Sequence, residues 1–271
     1  MKILLGVLIF FAALISLVFL GLQVQPGSFP AYPQQEGTME TVPLTEGLPA
    51  PVEHFYRQIY GENIPVIHSA VITGKVSMRP VGGITFPGRF RFTHAAGKDY
   101  RHYIEATVFG LPVIKVNEHY IDGKSRMELP FGVIENEPKI DQAANLGLWA
   151  ESIWLPAIFI TDERVRWEAV DDYTSLLVVP FGEEEERFVV RFDQETGMPR
   201  FFEAMRYKEP DDEQKSLWIC ETMEWGLVND RQILRVGALT WFGDAEPWAV
   251  FTIEDIVYNV EVEDYVRGQG I

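Results

Sequence analysis

The residue most able to do chemistry is Glu151, a lone carboxylate inside the apolar stretch DQAANLGLWAESIWLPAIFI at positions 141–160. On a helix turning about 100° per residue, Leu148 and Trp154 lie within about 60° of Glu151, whereas Asp141 and Asn145 lie on the other side. A carboxylate among apolar side chains must be paired, hydrogen-bonded or protonated, and such groups are enriched at functional sites.

Three interpretations of Glu151 remain open on the sequence. It forms a structural ion pair with an arginine such as Arg164 or Arg166, or it supplies polarity to a ligand cavity, or it acts as a general acid or base. No residue is predicted to be catalytic. The predicted ligand-binding residues are the carboxylate and the large apolar residues near it: Glu151, Trp154, Leu148, Trp149 and Trp167.

Two histidines flank the strand reversal AAGKD, namely His94 and His102. With a turn centred near Lys98, they lie almost opposite each other on paired strands, where Cβ atoms are about 5 Å apart and two side chains can share a metal ion. Such a site needs a third ligand, for which His119 and Glu105 are the candidates. Histidines packed against aromatic rings are commoner than metal ligands, so the sequence predicts no metal site and no cofactor.

Other motifs do not indicate a known chemistry. Gly123-Lys124-Ser125 resembles the end of a phosphate-binding loop, but Glu118 stands where the first glycine is required. The acidic run 183–186 is typical of a solvated hairpin tip rather than a calcium site. The sequence contains no G-x-S-x-G, H-E-x-x-H or G-x-G-x-x-G motif, so an enzyme is not the preferred interpretation.

The elements that must position these residues are mostly strands. Alternating patterns bounded by Gly and Pro run from His68 onward, and Asp122-Gly123 is the strongest hairpin signal. Short loops between many strands favour an antiparallel meander. Before it, Pro51 and the apolar spacing up to Ile59 predict a short amphipathic helix that Gly61 ends. The predicted fold class is α+β: a long, curled antiparallel sheet covered by a buried helix over 141–160, with Asp141 as its N-cap.

The first residues predict a membrane anchor. Residues 3–22 contain no charged side chain, and twenty helical residues span roughly 30 Å, the hydrocarbon thickness of a bilayer. Lys2 precedes this stretch, and the first basic residue after it is Arg57, so the positive-inside rule predicts a cytoplasmic N-terminus and an extracytoplasmic remainder. A cleaved signal peptide is the alternative, although the stretch is long for one and lacks a small-x-small site.

The composition excludes some partners. With 40 acidic and 23 basic residues the formal charge is -17, and no window is basic, which excludes a nucleic-acid binder. The single cysteine cannot form an intrachain disulfide. The predicted organisation is a transmembrane anchor over 1–22 in the cytoplasmic membrane, a flexible linker over 23–46 that is rich in Pro, Gly and Gln, and one exported domain over 47–271.

Several segments resemble those of a bacterial family of membrane-anchored proteins whose domain has no known function. The similar segments run in order from Leu48 to Val260: LPAPVEHFYR, YIDGKSRM, DQAANLGLWAESIWLPAIFI, RVRWEAVDD, FDQETGMPRFFEAMRYKE and IEDIVYNV. This resemblance implies membrane placement and architecture but assigns no activity. The order of elements is also similar to the half-barrel of periplasmic lipoprotein carriers, whose concave sheet holds apolar ligand.

Three functions are compatible with these observations. The first is binding of a lipid or other apolar ligand at the membrane surface, which predicts a cavity walled by Trp149, Trp154 and strand aromatics. The second is an interaction or structural module of the cell envelope, which predicts a filled interior and an exposed apolar patch. The third is a carboxylate-dependent hydrolase, which requires a second titratable group beside Glu151 in an open pocket.

Overall fold

The computed structural model describes residues 2–34, 36, 39–81 and 83–268. Its first element is helix α1 (Lys2–Gly21), whose described side chains are exposed along almost its whole length. The segment Ile3–Gly21 is long and apolar enough to cross a membrane. A signal sequence has the same properties, so the helix by itself is compatible with both predicted roles.

A second helix, α2 (Ala50–Tyr60), confirms the predicted amphipathic helix. Pro51 stands in its first turn, where a missing N–H costs nothing, and Val52 and Phe55 are buried against the sheet. Gly61 ends the helix at a φ of 71°, a left-handed conformation that favours glycine.

The main sheet contains thirteen antiparallel strands. A separate pair, β1 (Thr41–Pro43) and β2 (Asn63–Pro65), precedes it. The first group of the main sheet comprises β3 (Ser69–Val81), β4 (Ile84–Ala95), β5 (Asp99–Val108), β6 (Leu111–Ile121), β7 (Lys124–Leu129) and β8 (Gly132–Glu135). The second group comprises β9 (Arg166–Asp171), β10 (Thr174–Phe181), β11 (Glu184–Phe192), β12 (Pro199–Arg206), β13 (Ser216–Val228), β14 (Arg231–Trp241) and β15 (Ala249–Tyr258).

Each group is a meander of consecutive strands, and the two meanders join where β15 pairs with β3. The predicted hairpin at Asp122-Gly123 is confirmed, because these two residues join β6 to β7 with φ values of 51° and 80°. Positive φ at both positions is the signature of a two-residue turn that matches the twist of paired strands.

The helix predicted over 141–160 is shorter and begins earlier than expected. The structure contains α3 (Pro138–Glu151), a single 3₁₀ turn (Ser152–Trp154) and the short helix α4 (Ile158–Thr161). Pro138 fills the first turn of α3, so the predicted N-cap Asp141 was wrong. Asp141 lies inside the helix, and its carboxylate accepts hydrogen bonds from the backbone N–H and hydroxyl of Ser125 on β7.

The sheet is curled around α3, as predicted. This helix packs against β6 and β7 near one edge and against β10 and β12 near the other. Seven strand spacings separate β6 from β12 in the sheet order, which is roughly 34 Å in a flat sheet, whereas a helix is about 10–12 Å wide. One helix can contact both groups only because the sheet bends around it.

The segment 23–46 is not the free linker that its composition predicts. Among its described residues, Phe29 lies under the guanidinium groups of Arg89 and Arg91, with ring centroid distances of 4.3 and 4.9 Å. Glu36 forms a bidentate ion pair with Arg231 and accepts a hydrogen bond from the backbone N–H of Tyr258 at 2.9 Å. These contacts hold the segment against the sheet.

The contact of Glu36 predicts a pH-dependent contribution to stability. Burial alone raises the pKa of this carboxyl, but Arg231 and the N–H of Tyr258 outweigh burial and lower it below its usual value of 4.5. A lowered folded-state pKa means that the stabilisation is present above the unfolded pKa and is lost as pH falls through the folded pKa. We therefore expect Glu36→Gln to lower the free energy of unfolding by about 1–2 kcal/mol near neutral pH.

The measurement is denaturant unfolding of the full chain in detergent at several pH values. The difference between Glu36→Gln and the unmodified protein is expected to shrink below about pH 4. Glu40→Gln, an exposed carboxylate of the same segment, is the matched control. Equal effects of the two substitutions at neutral pH contradict the docked arrangement.

Candidate functional site

The hairpin formed by β4 and β5 places both candidate histidines on the face of the sheet that covers α3. His94 pairs with Tyr100 and His102 pairs with Phe92, so the turn is centred on Gly97 rather than on Lys98. The two histidines are therefore diagonal neighbours, and the prediction that they lie almost opposite each other was wrong. Their ring centroids are nevertheless 5.7 Å apart, because both side chains point to the same face.

Neither expected third ligand joins them. Glu105 and His119 lie at odd-numbered positions of β5 and β6, whereas His102 lies at an even-numbered one, and alternate residues of a strand face opposite sides. Glu105 forms an ion pair with Arg89 at 2.7 Å on that other side. His119 pairs across the ladder with Arg101.

The third group is Glu151, at the last residue of α3. Its Oε2 lies 2.6 Å from Nε2 of His102 and 3.1 Å from Nε2 of His94. The expected arginine partners lie elsewhere, since Arg164 pairs with Asp162 and Arg166 pairs with Glu185. The expected ion pair with Arg164 or Arg166 is therefore wrong, and the partners of Glu151 are histidines on the strands that face the end of the helix.

A second carboxylate extends this group. Glu118 is the cross-strand neighbour of His102, and its Oε2 lies 3.9 Å from Nδ1 of the imidazole. The hydroxyl of Tyr100 donates to Oε1 of Glu118 at 2.5 Å, and the Tyr100 ring stacks on His102 at 3.9 Å with an interplanar angle of 8°. His102 is thus held between two carboxylates and one aromatic face.

The charges of this cluster shift its titration strongly. Burial lowers the pKa of His102, but the carboxylates of Glu151 and Glu118 have a larger opposite effect, so the pKa rises to about 9. Burial raises the pKa of Glu151, but His102 and His94 have a larger opposite effect, so the pKa falls to about 2. For His94 burial dominates, so its pKa falls. At neutral pH these directions describe a cationic His102 beside an anionic Glu151 and a neutral His94.

The three converging atoms form ion-pair contacts with one another, but these contacts do not meet hydrogen-bond geometry. Nε2 of His94, Nε2 of His102 and Oε2 of Glu151 are buried, and none has a hydrogen-bond partner of acceptable geometry among the described residues. The same is true of Nδ1 of His94, whose side chain is 0% exposed. All three ligand atoms lie within 4.8 Å of one another, so these residues could together hold a metal ion.

A large cavity lies beside this cluster, with Glu118 in its wall. Its volume is about 930 Å³. It opens where the first residues of α3 face strands from both meanders. The apolar part of its lining comes from α3 and from strands and loops on both sides: Met127, Leu129, Ile134, Ile140, Trp241 and Trp248.

Arg206, at the end of β12, places a positive charge in a cavity wall that also contains the carboxylates of Glu118, Glu209, Asp244 and Glu246. Its guanidinium lies over the ring of Trp218 at 4.3 Å. Its Nε is buried without a hydrogen-bond partner, and no carboxylate among the described residues lies within ion-pair distance. Burial lowers its pKa, which reflects the cost of leaving a charge poorly solvated.

The predicted ligand-binding residues are divided between different environments. Leu148 and Trp149 are buried in the core and do not line the large cavity. Glu151 and Trp154 line a separate void of about 40 Å³, and Trp167 packs on Phe159 at a centroid distance of 6.2 Å. The ligand-binding role of this set remains a prediction.

Sequence reasoning missed Glu118, Arg206, Trp241 and Trp248, which line the cavity. Only Glu118 carried a usable signal. The alternation of β6 places it on the inner face, and an inward-pointing carboxylate in a strand is unusual enough to indicate a buried partner.

A family model described as "Family of unknown function (DUF6544)" matches residues 37–253. The chain belongs to this family. The match confirms the resemblance to a family without known function. The family region contains the whole histidine and carboxylate cluster and every named cavity residue, whereas α1 lies before it.

No match was found among curated proteins. Among solved structures, the chain is similar to a LolA superfamily protein from Nitrosomonas europaea, with a TM-score of 0.46, 8% identity, and coverage of 92% of this chain and 96% of the other. It is also similar to a DUF1329 family protein from Desulfovibrio piger, with a TM-score of 0.43, 13% identity, and coverage of 75% and 91%. With TM-scores below 0.5, neither similarity supports a conclusion about function.

The cluster of His94, His102 and Glu151 predicts that removing the charge of Glu151 has a large effect on stability. Glu151→Gln is expected to lower the free energy of unfolding by about 3–5 kcal/mol, because it leaves His102 without its nearest counter-charge in a buried site. Glu185→Gln removes a carboxylate from an exposed pair with Arg166 and should have a much smaller effect, because solvent screens exposed ion pairs. Denaturant unfolding of both variants at neutral pH checks this, and equal losses contradict the assignment of Glu151 as a buried ion-pair partner.

Proposed function

We propose that the protein binds an amphiphile, with an apolar chain and an anionic end, in the 930 Å³ cavity at a membrane surface. The observation that carries this proposal is the combination, in one cavity, of several large apolar side chains with an arginine that has no carboxylate within ion-pair distance among the described residues.

The size of the cavity suits a lipid-like ligand. Pockets for small molecules have volumes of roughly 300–1,000 Å³, are mainly apolar and contain few polar groups. The apolar side chains of this cavity lie on both sides of the first turns of α3, where Ile140, Ala143 and Ala144 form one wall. The small size of the two alanines leaves space that larger residues at these positions would fill.

Among the described residues, the cavity wall contains three basic and four acidic side chains, and the basic side chains of Arg206 and Lys208 favour an anionic ligand group beside them. Arg206 faces the cavity while its Nε lacks a partner, and Lys208 lies in the same wall. An anionic oxygen would give the guanidinium the charge-assisted hydrogen bonds that the described residues do not provide. The ring of Trp218 holds the guanidinium in place from one side.

Membrane placement is supported by the end of α1. The backbone N–H of Phe109, in the turn between β5 and β6, donates to the carbonyl oxygen of Gly21 at 2.8 Å. Phe109 and Leu111 are exposed beside this contact. If α1 crosses the bilayer with its N-terminus in the cytoplasm, this apolar turn lies at the extracytoplasmic lipid surface, from which a ligand can enter.

The other two candidate functions have less support. A hydrolase needs an open pocket at Glu151, but the void beside this residue is about 40 Å³, which is enough for little more than a water molecule. An interaction module predicts a filled interior, whereas the large cavity extends along α3.

Filling the cavity is expected to remove binding. Ala143→Trp places an indole in the cavity wall, so the full chain in detergent should lose most of its bound palmitate in native mass spectrometry. Ala169→Trp, on the exposed side of β9, is the matched control and should bind palmitate like the unmodified protein. Absence of any palmitate adduct on the unmodified protein, or equal adducts on both variants, contradicts the proposal.

The charge of Arg206 is expected to discriminate between ligands of equal chain length. Arg206→Gln should weaken palmitate binding by about tenfold or more, because a charge-assisted hydrogen bond contributes roughly 1.5–3 kcal/mol. Hexadecanol has the same chain without the charge, so its binding should change little. Competition between the two ligands in native mass spectrometry measures this preference, and a parallel loss of both means that Arg206 does not recognise the anionic end.

A further inference from the structure

We propose that His94, His102 and Glu151 form a binding site for a divalent first-row transition ion, with Zn²⁺ as the best match. The donors come from β4, β5 and the C-terminal end of α3. Two imidazole nitrogens and one carboxylate oxygen are a donor set that zinc sites use, with an open position left for water or another ligand. This proposal does not depend on the amphiphile cavity, although Glu118 borders both sites.

The separations between the donor atoms are close to those that a metal requires. Ligand atoms bound tetrahedrally to zinc lie about 3.3 Å apart. The distance of 3.1 Å between His94 and Glu151 is already near this value, whereas the distance of 2.6 Å between His102 and Glu151 is shorter. An ion between these atoms requires the carboxylate to withdraw from His102 by about 0.7 Å, a change that a rotation within the Glu151 side chain can provide.

The hydrogen bonding of the cluster supports the same conclusion. The three donor atoms are buried and converge, and their contacts with one another, at 2.6 and 3.1 Å, are ion pairs that do not meet hydrogen-bond geometry among the described residues. Buried polar atoms normally have hydrogen-bond partners of good geometry. One cation at their centre would satisfy all three atoms together.

The surroundings of His102 are also those of a metal ligand. A metal-bound histidine usually donates its other ring N–H to a carboxylate, which fixes the tautomer and the ring orientation. Glu118 lies on that side of His102, at 3.9 Å from Nδ1, and is itself held by the hydroxyl of Tyr100. The stacked ring of Tyr100 further limits rotation of the imidazole.

Charge and space are compatible with an ion. With both histidines neutral and metal-bound, Glu118 and Glu151 contribute two negative charges, which one divalent cation balances. The void of about 40 Å³ beside Glu151 is large enough for a water molecule as a fourth ligand. Its other walls are largely apolar, among them Phe92, Trp154 and Phe251.

The test uses the full chain in detergent after removal of metals with EDTA, titrated with Zn²⁺ by calorimetry and with Co²⁺ by visible absorption. We expect one ion per chain and the intense absorption of four-coordinate Co²⁺. His102→Gln should weaken binding at least 100-fold, and Glu118→Gln should weaken it by about 10–100-fold as the loss of an outer carboxylate. His119→Gln is the matched control, because this histidine lies on the opposite face of the same region and should bind like the unmodified protein.

Circular dichroism shows whether each variant is folded. If His102→Gln does not fold, Glu118→Gln decides the question, because it leaves all three donors in place. The proposal is overturned if the unmodified protein binds no stoichiometric ion, or if Glu118→Gln and His119→Gln bind equally well. If the unmodified protein binds Zn²⁺ but no palmitate, the amphiphile proposal alone is contradicted, so failures of the two proposals are distinguishable.

Discussion

The structure depends on the polar side chains of α3, each of which binds a different part of the curled sheet. Asp141 binds β7, Gln142 bonds to Glu186 on β11, and Asn145 joins Tyr120 of β6 to the carbonyl of Pro180 on β10. At the end of the helix, Glu151 meets histidines of β4 and β5. Because a buried polar group without a partner is costly, these bonds fix how far the sheet must bend.

The curl also creates the two candidate sites. The C-terminal end of α3 packs closely against β4 and β5, and only a small void remains between the helix and the sheet. The histidines of the cluster are therefore shielded from water. Where the first turns of α3 diverge from the strands, the same curl leaves a cavity of about 930 Å³. Glu118 lies between them, in the cavity wall and beside His102, so a ligand in the cavity could alter the charge near the cluster.

The sequence predicts features that depend on neighbouring residues better than contacts between residues far apart in the chain. The hairpin at Asp122-Gly123 and the helix ended by Gly61 were predictable because their signals lie within a few residues. The helix predicted over 141–160 begins earlier, at Pro138, and the sequence did not indicate what its polar side contacts. Asp141, Gln142 and Asn145 are buried, each with a partner on a strand distant in sequence. Likewise, Glu151 was correctly singled out, but its partners were sought among nearby arginines.

Local patterns in the chain are sufficient to predict the main elements of this protein: an apolar first helix, an antiparallel meander, a covering helix and one carboxylate on an apolar face. Periodicity and turn chemistry act over a few residues and can therefore be recognised in the sequence. Long-range packing brings Glu151 to His94 and His102, and it places the large cavity at the other end of the same helix. Both depend on the register and curvature of a sheet of thirteen strands, which arise from contacts between residues far apart in the chain.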